Sequence, residues 1–350
     1  DTICLHGDTP GAVSLAAAGG GCGREAAAPA TVRLLTHDSF RISEEARAAF
    51  TNATGLTLEV LQAGDAGSMV NQAILSAGNP VADVMFGVDT TFLSRALEAD
   101  LFTAYETPGL PALLPGLTTD PEHRVTPIDY GDVCLNYDKA AFVTTSPPRS
   151  LADLTDPAYR GMLVVEDPGT SSPGLAFLLA TIATFGEEGA YTWQDYWADL
   201  RANDVAVAAG WEAAYYGTFS GGSGGGDRPL VVSYASSPPA EVIYADPPVA
   251  EAPTGVITAG CFRQVEYAGI LRGTPREAAA RALVDFLLSE DFQREIPLTM
   301  FVYPARAGVA LPPEFTAHTT VPASPLTMDP AAIETHRRLW VEEWTEIVLR

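Results

Sequence analysis

The chain of 350 residues is long enough for two lobes of roughly 150 each, and with 47% hydrophobic against 18% charged residues it is not disordered by composition. Its 44 acidic residues outnumber 20 basic ones, of which Lys139 is the single lysine, for a net charge of −24. A field of that sign repels phosphate backbones and anionic headgroups, so it argues against nucleic-acid partners and basic membrane attachment and suits a cationic ligand.

No run of 18 apolar residues occurs, so nothing is expected to span a bilayer. Residues 11–21 (GAVSLAAAGGG) form a short small-residue stretch that ends at Cys22. That arrangement resembles the tail of a bacterial lipoprotein signal and makes Cys22 a lipidation candidate, with 23–31 as a flexible tether. Cys4 also lies in this segment, which leaves Cys134 and Cys261 in the globular part. They read either as one disulfide across a long loop or as two buried thiols.

From Thr31 the pattern alternates strand and helix: strand 32–35, helix 44–54 behind Ser43, strand 56–61, helix 68–77, strand 82–88 and helix 90–99. This order predicts a parallel sheet with helices on its faces. A Pro-rich stretch, 107–127, reads as loop; 133–137, continuing 127–132, reads as a strand, and 161–166 as another. A helix over 175–185, an amphipathic aromatic stretch over 191–203, and strands at 205–208, 230–234 and about Cys261 to Tyr267 continue the series. The glycine-rich 221–226 reads as a loop. Helices over 274–288 and 329–349 close the chain.

Catalytic motifs are missing: there is no GxSxG, HExxH, phosphate loop or GxGxxG after a strand, and the five histidines include no i, i+4 pair. No metal centre and no cofactor are expected. Three local features remain. The turn Thr170-Ser171-Ser172-Pro173-Gly174 opens a helix whose first N–H groups lack intrahelical partners, a ready place for an anion or hydroxyl or else an ordinary cap. Trp211 and Tyr215 are four apart and share a helical face, while Tyr234 ends a strand and Phe301 and Tyr303 read as a separate extended segment. Such aromatics can hold a cation or simply fill a core. Asp38, Asp65, Asp89 and Asp129 read as turn residues at strand ends, where ligands gather in open α/β sheets.

The ordered set Thr36-His37-Asp38-Ser39-Phe40, Ala82-Asp83-Val84…Gly87-Val88-Asp89, Asp129-Tyr130-Gly131, Asp167-Pro168…Thr170-Ser171-Ser172-Pro173-Gly174, Gly210-Trp211…Tyr215, Ser233-Tyr234…Ser237-Pro238, Gln264-Val265-Glu266, Tyr303-Pro304 and Leu339-Trp340…Glu343-Trp344 resembles the bacterial thiamine-binding proteins of ABC importers. The resemblance implies an α/β, two-lobed fold of the class II periplasmic-binding-protein type, with hinge strands crossing between lobes and a ligand cleft between them. By position it implies a leader or tether at 1–31, a first lobe at 32–130, a second at 131–260, and a return to the first lobe with a C-terminal helix at 261–350. It also implies His37, Asp65, Ser171, Ser172, Gly174, Trp211, Tyr215, Tyr234 and Phe301 as ligand-binding residues. His37 stands where the family has Tyr, and Phe301 near an expected Trp. Cys134 and Cys261 fall on the crossing segments, where a disulfide could join them. The implied partners are thiamine or a thiamine phosphate ester and a cognate permease. The chain would be a monomer outside the cytoplasm, touching membrane only through a lipid anchor, and not an enzyme. Two alternatives are a ferric-ion binding protein using Tyr215-Tyr216 and a thiamine-cleaving enzyme using Cys134 as nucleophile.

Overall fold

The computed structural model describes residues 30–117, 120–222 and 225–350. Cys22 and most of the leader segment lie outside the described residues.

Local signals set the first elements. β1 (Thr31–Thr36) is followed by α1 (Glu44–Thr54), whose Ser43 hydroxyl accepts from Ala46 N at 3.0 Å and whose end is marked by Gly55 at φ 71°. After β2 (Thr57–Gln62), Asp65 caps α2 (Ala66–Leu75), so this helix begins two residues earlier than the apolar spacing suggests. β3 (Val84–Asp89), α3 (Leu93–Glu98) and β4 (Phe102–Thr103) complete the first stretch. β5 (Thr126–Asp138) takes in the strand read at 133–137 together with the 127–132 it continues, so Asp129 lies inside it, fully buried, instead of in a turn.

β6 (Leu163–Glu166) leads into α4 (Ser172–Phe185), which is buried along most of its length. α5 (Trp193–Ala202) starts with a reciprocal Thr192–Asp195 capping box. β7 (Ala206–Ala208), a π-helical stretch at Ala213–Thr218, β8 (Leu230–Tyr234) and α6 (Pro238–Ile243) follow. β9 (Thr254–Leu271) runs 18 residues, then come α7 (Glu277–Leu287), two short helical turns, β10 (Tyr303–Pro304), a third short helix and α8 (Pro330–Val348).

The strands form one sheet in the order β2-β1-β3-β9-β5-β8-β6-β7, with β4 on β9 and β10 on β5. β1 pairs in parallel with β2 and β3, and β6 with β7 and β8, as alternating strands and helices require. The parallel sheet expected from the first strand–helix alternation holds for β1–β3, while at the centre of the sheet β9 is antiparallel to β3 and β5, and β5 to β8. β5 and β9 each serve both halves of the sheet. Their register shifts between Pro127 and Asp129 and again between Val133 and Leu135, so the two strands bend together at the middle.

A disulfide joins Cys134 to Cys261 at the second of these shifts, with Cα atoms 4.4 Å apart. The last helix braces both halves: Trp344 packs edge-on to Trp197 of α5, and Arg337 lies over the ring of Phe92 beside α3. Among the described residues no helix is long and apolar enough to cross a membrane.

Candidate functional site

Where the two halves of the sheet meet, a cavity of about 410 Å³ opens over the strand ends. It is the size of a small-molecule site. Its walls come from widely separated segments, which the sheet brings together.

His37 enters from the end of β1. Its ring needs the space above Gly87, where a Cβ would come within 2.3 Å of the ring and where φ is 98°. Facing it, Glu266 of β9 places Oε2 3.6 Å from His37 Nε2. Burial opposes charge on His37, but the carboxylates of Glu266, Asp65 and Asp38 outweigh it and raise the imidazole above 6.5. Asp129 sits opposite Glu266 in the β5–β9 ladder with both oxygens unpartnered among the described residues. Burial and the nearby Glu266 charge push it well above the carboxylate range.

The aromatic wall is built on the π-helical stretch and β8. Trp211 stacks on Tyr215 with centroids 5.0 Å apart and planes 20° from parallel, and Tyr216 meets Trp211 edge-on. Trp211 Nε1 donates to Ser233 Oγ at 2.9 Å, which fixes the indole plane. Tyr234 lies against Gly131, where any Cβ would press to 2.8 Å on its ring, and its hydroxyl donates to Gln264 Oε1 at 3.0 Å. Burial and then the charges of Glu266, Asp89, Asp65 and Asp129 raise the Tyr234 phenol. Phe301 closes the far side. It has φ 55° after a short helix rather than the extended backbone read from sequence, and its carbonyl accepts from Ser236 Oγ at 2.6 Å.

Asp65 works across the cleft. Its Oδ1 accepts from Ala66 N at 2.6 Å and from Ser172 N at 3.4 Å, and its Oδ2 accepts from Trp211 N at 3.0 Å. Burial raises this carboxyl, while the backbone bonds from Trp211 and Ala66 and the Ser171 hydroxyl hold it down in part. Ser172 Oγ donates in turn to Asp89 Oδ2, whose carboxyl burial pushes up to about 6.

Of the nine expected residues, His37, Asp65, Ser172, Trp211, Tyr215, Tyr234 and Phe301 line the one cavity. Ser171 and Gly174 do not. Ser171 is buried as the α4 cap, and Gly174 is where α4 crosses β6 so closely that a Cβ would meet Glu166 O at 2.5 Å. Glu266, Tyr216, Tyr244, Ser237 and Arg41 also line the cavity; none of them is among the nine, though Glu266 and Ser237 fall in the ordered motifs and Tyr216 in the Tyr215-Tyr216 pair. The one usable signal was for Glu266: two-residue alternation in β9 puts it on the same face as Gln264. Among the described residues no group of three His, Cys, Asp or Glu side chains could hold a metal ion.

Residues 79–333 match the family model of bacterial extracellular solute-binding proteins. The chain is 30% identical over 339 residues to the thiamine-binding periplasmic protein of Salmonella typhimurium, covering 94% of this chain and 97% of that one. The thiamine-binding periplasmic protein of Escherichia coli is 29% identical, with 91% and 93% covered. A solved periplasmic thiamin binding protein superposes with a TM-score of 0.80 at 28% identity, over 91% of this chain and 96% of that chain.

Proposed function

The chain belongs to the bacterial extracellular solute-binding protein family, and from that premise we propose that it captures thiamine, or a thiamine phosphate ester, outside the cytoplasm and hands it to an ABC importer. The observation that carries this reading is the pairing of an aromatic wall, Trp211 on Tyr215 with Tyr234 opposite Gly131, with carboxylates that have no neutralising lysine nearby. A thiazolium ring is a permanent cation without an N–H to donate. Aromatic faces, at about 0.5–2 kcal/mol each, and fixed carboxylates are its natural partners. The planar aminopyrimidine has a hydrogen-bonding edge that a carboxylate can meet.

We assign Trp211, Tyr215, Tyr234 and Phe301 to ring contact, and His37, Asp65 and Ser172 to the polar end, with Ser171 and Gly174 supporting Ser172 from behind. We place the first lobe at 32–130 and 261–350 and the second at 131–260. Support for that division is that the β5–β9 register breaks on either side of Tyr130 and Gly131, and that the second break spans Ile257 to Phe262, around the join at 260/261. The chain would act as a monomer, with any lipid anchor at Cys22.

It binds and does not turn over its ligand on this reading: Cys134, the one candidate nucleophile, is bonded to Cys261 and offers no thiolate. Iron is disfavoured because Tyr215 is stacked on Trp211 and Tyr216 meets both rings edge-on, so the pair is packed as part of an aromatic wall. Calorimetric titration with thiamine, thiamine phosphate and thiamine diphosphate tests the proposal. No binding of any of the three at up to about 100 μM would refute it.

A further inference from the structure

Resting on the thiamine reading above, we propose that the pairs Arg41–Glu212 and Tyr244–Leu298 form a two-point latch across the cavity mouth, and that this latch sets how slowly thiamine is released. Arg41, Glu212 and Tyr244 all line the cavity, yet they are open to water: the side chains of the ion pair are 55% and 35% exposed, and Tyr244 is 68% exposed. They therefore stand at the rim of the cavity, not on its floor. Each contact joins a segment placed above in the first lobe to one placed in the second. Arg41 Nη2 reaches Glu212 Oε1 at 3.3 Å across 171 positions of sequence, and the Tyr244 hydroxyl donates to the Leu298 carbonyl at 3.0 Å.

Exposed ion pairs are usually weak, because two long side chains must be held in one geometry. Arg41 is already held on its own side. Its Nη1 donates to the carbonyls of Asp38 and Phe40 at 2.6 and 2.9 Å. Gln62 Nε2 donates to the same two carbonyls at 2.9 and 3.1 Å, so the turn that carries Arg41 is itself pinned. Only the Glu212 side chain has to be ordered when this pair forms. At the second point Phe301 is the fixed element. Its ring meets Tyr244 edge-on at 5.8 Å and its carbonyl accepts from Ser236 Oγ at 2.6 Å, so the second lobe grips one residue of the first by ring and by backbone. These contacts join protein to protein, and they must break before the mouth opens. They act on dissociation, not on encounter.

The charge of Arg41 gives the test its sign. Acting only through its field, Arg41 would repel a cationic ligand, and removing it would slow release. A latch predicts faster release. Labelled thiamine bound to the disulfide-intact protein is chased with excess unlabelled thiamine, and association is followed separately by tryptophan fluorescence. Release should quicken by about two- to fivefold in Arg41→Met and by about two- to tenfold in Tyr244→Phe, which loses only the hydroxyl. Association rates should change by less than about twofold. The two effects should multiply in the double variant, because the contacts share no residue, and Glu212→Gln should quicken release more in the wild-type background than in Arg41→Met. Should Arg41→Met not fold, Arg41→Gln takes its place with the same expected sign. Slower or unchanged release from the Arg41 variant overturns the ion-pair half of the latch, and unchanged release from Tyr244→Phe overturns the other half, with the thiamine reading left in place. Failure of the wild-type protein to bind thiamine overturns that reading and this inference with it.

Discussion

His37 Nε2 and Glu266 Oε2 lie 3.6 Å apart in the cavity wall, joining the end of β1 to the middle of β9. The carboxylates around it hold the imidazole above 6.5 despite burial, so the folded protein keeps this proton longer than the unfolded chain does. The pair therefore contributes stability below pH 6.5, and that contribution is lost as pH rises through the folded-state value. A permanent cation bound beside Glu266 acts in the opposite direction and lowers the His37 pKa. Binding should thus release a proton, and thiamine affinity should rise with pH until His37 is neutral in the free protein. Calorimetry in two buffers of different ionisation enthalpy measures the proton count directly. In His37→Gln the release should largely vanish, and a slope unchanged by that substitution would remove His37 from the linkage.

The stack of Trp211 on Tyr215 gives one side of the cavity a rigid, pre-oriented face, fixed further by the indole bond to Ser233. Trp211→Ala removes the face and leaves Ser233 and Tyr215 to water. With a cation–π contribution of up to about 2 kcal/mol lost together with stacking area, the thiamine affinity should fall by at least about tenfold. Tyr234→Ala should add to the loss, because its ring approaches the site from β8 rather than sharing the Trp211 stack. Titration of the two single variants and the double variant checks this, and an unchanged affinity in the double variant would show that the rings only fill space.

The elements whose signals are local are legible in the sequence. Leu230–Tyr234 stands as a strand with the bounds its apolar run suggests, and the start of α4 follows from Ser171 and Pro173. Asp129 was misplaced because a strand crossing both halves is buried on both faces and loses the alternation that marks a strand. Phe301 was read as extended because nothing in Thr299-Met300-Phe301 announces a positive φ at a non-glycine residue. The cavity itself was legible only through the ordered likeness of distant segments. Asp65 and Trp211 are 146 positions apart, and no periodicity reports that a side chain on one caps a backbone N–H on the other.

Gly174 illustrates a residue whose sequence context suggests ligand contact while its surroundings indicate packing. A Cβ there would lie 2.5 Å from the Glu166 carbonyl oxygen and 2.8 Å from its carbonyl carbon, both backbone atoms that cannot swing aside. Gly174→Ala should therefore destabilise the fold by about 1–3 kcal/mol, the usual cost of overpacking. Urea unfolding measures this. Because Ser172 is two residues away and bonded to Asp65 and Asp89, a smaller loss of thiamine affinity should accompany it. A variant of unchanged stability that no longer binds would instead mark Gly174 as a contact.

The Cys134–Cys261 bridge closes a separation of 127 residues and ties β5 to β9 beside their common bend. Cross-linking so long a segment restricts the unfolded chain, and loss of a native disulfide costs about 2–5 kcal/mol. Both cysteines are buried with Ala235 in a small apolar cluster, so a paired Cys134→Ala, Cys261→Ala substitution leaves no buried polar atom behind. The double variant should unfold at lower urea concentration, with a larger slope because its unfolded state exposes more surface. The strands themselves remain joined by their ladder on both sides of the shift, so thiamine affinity should change by less than about threefold. Non-reducing mass analysis of the wild-type protein after alkylation tests the premise. Two alkylated thiols at Cys134 and Cys261 would refute the bridge, and a large affinity loss in the double variant would mean that it holds the hinge in its binding geometry.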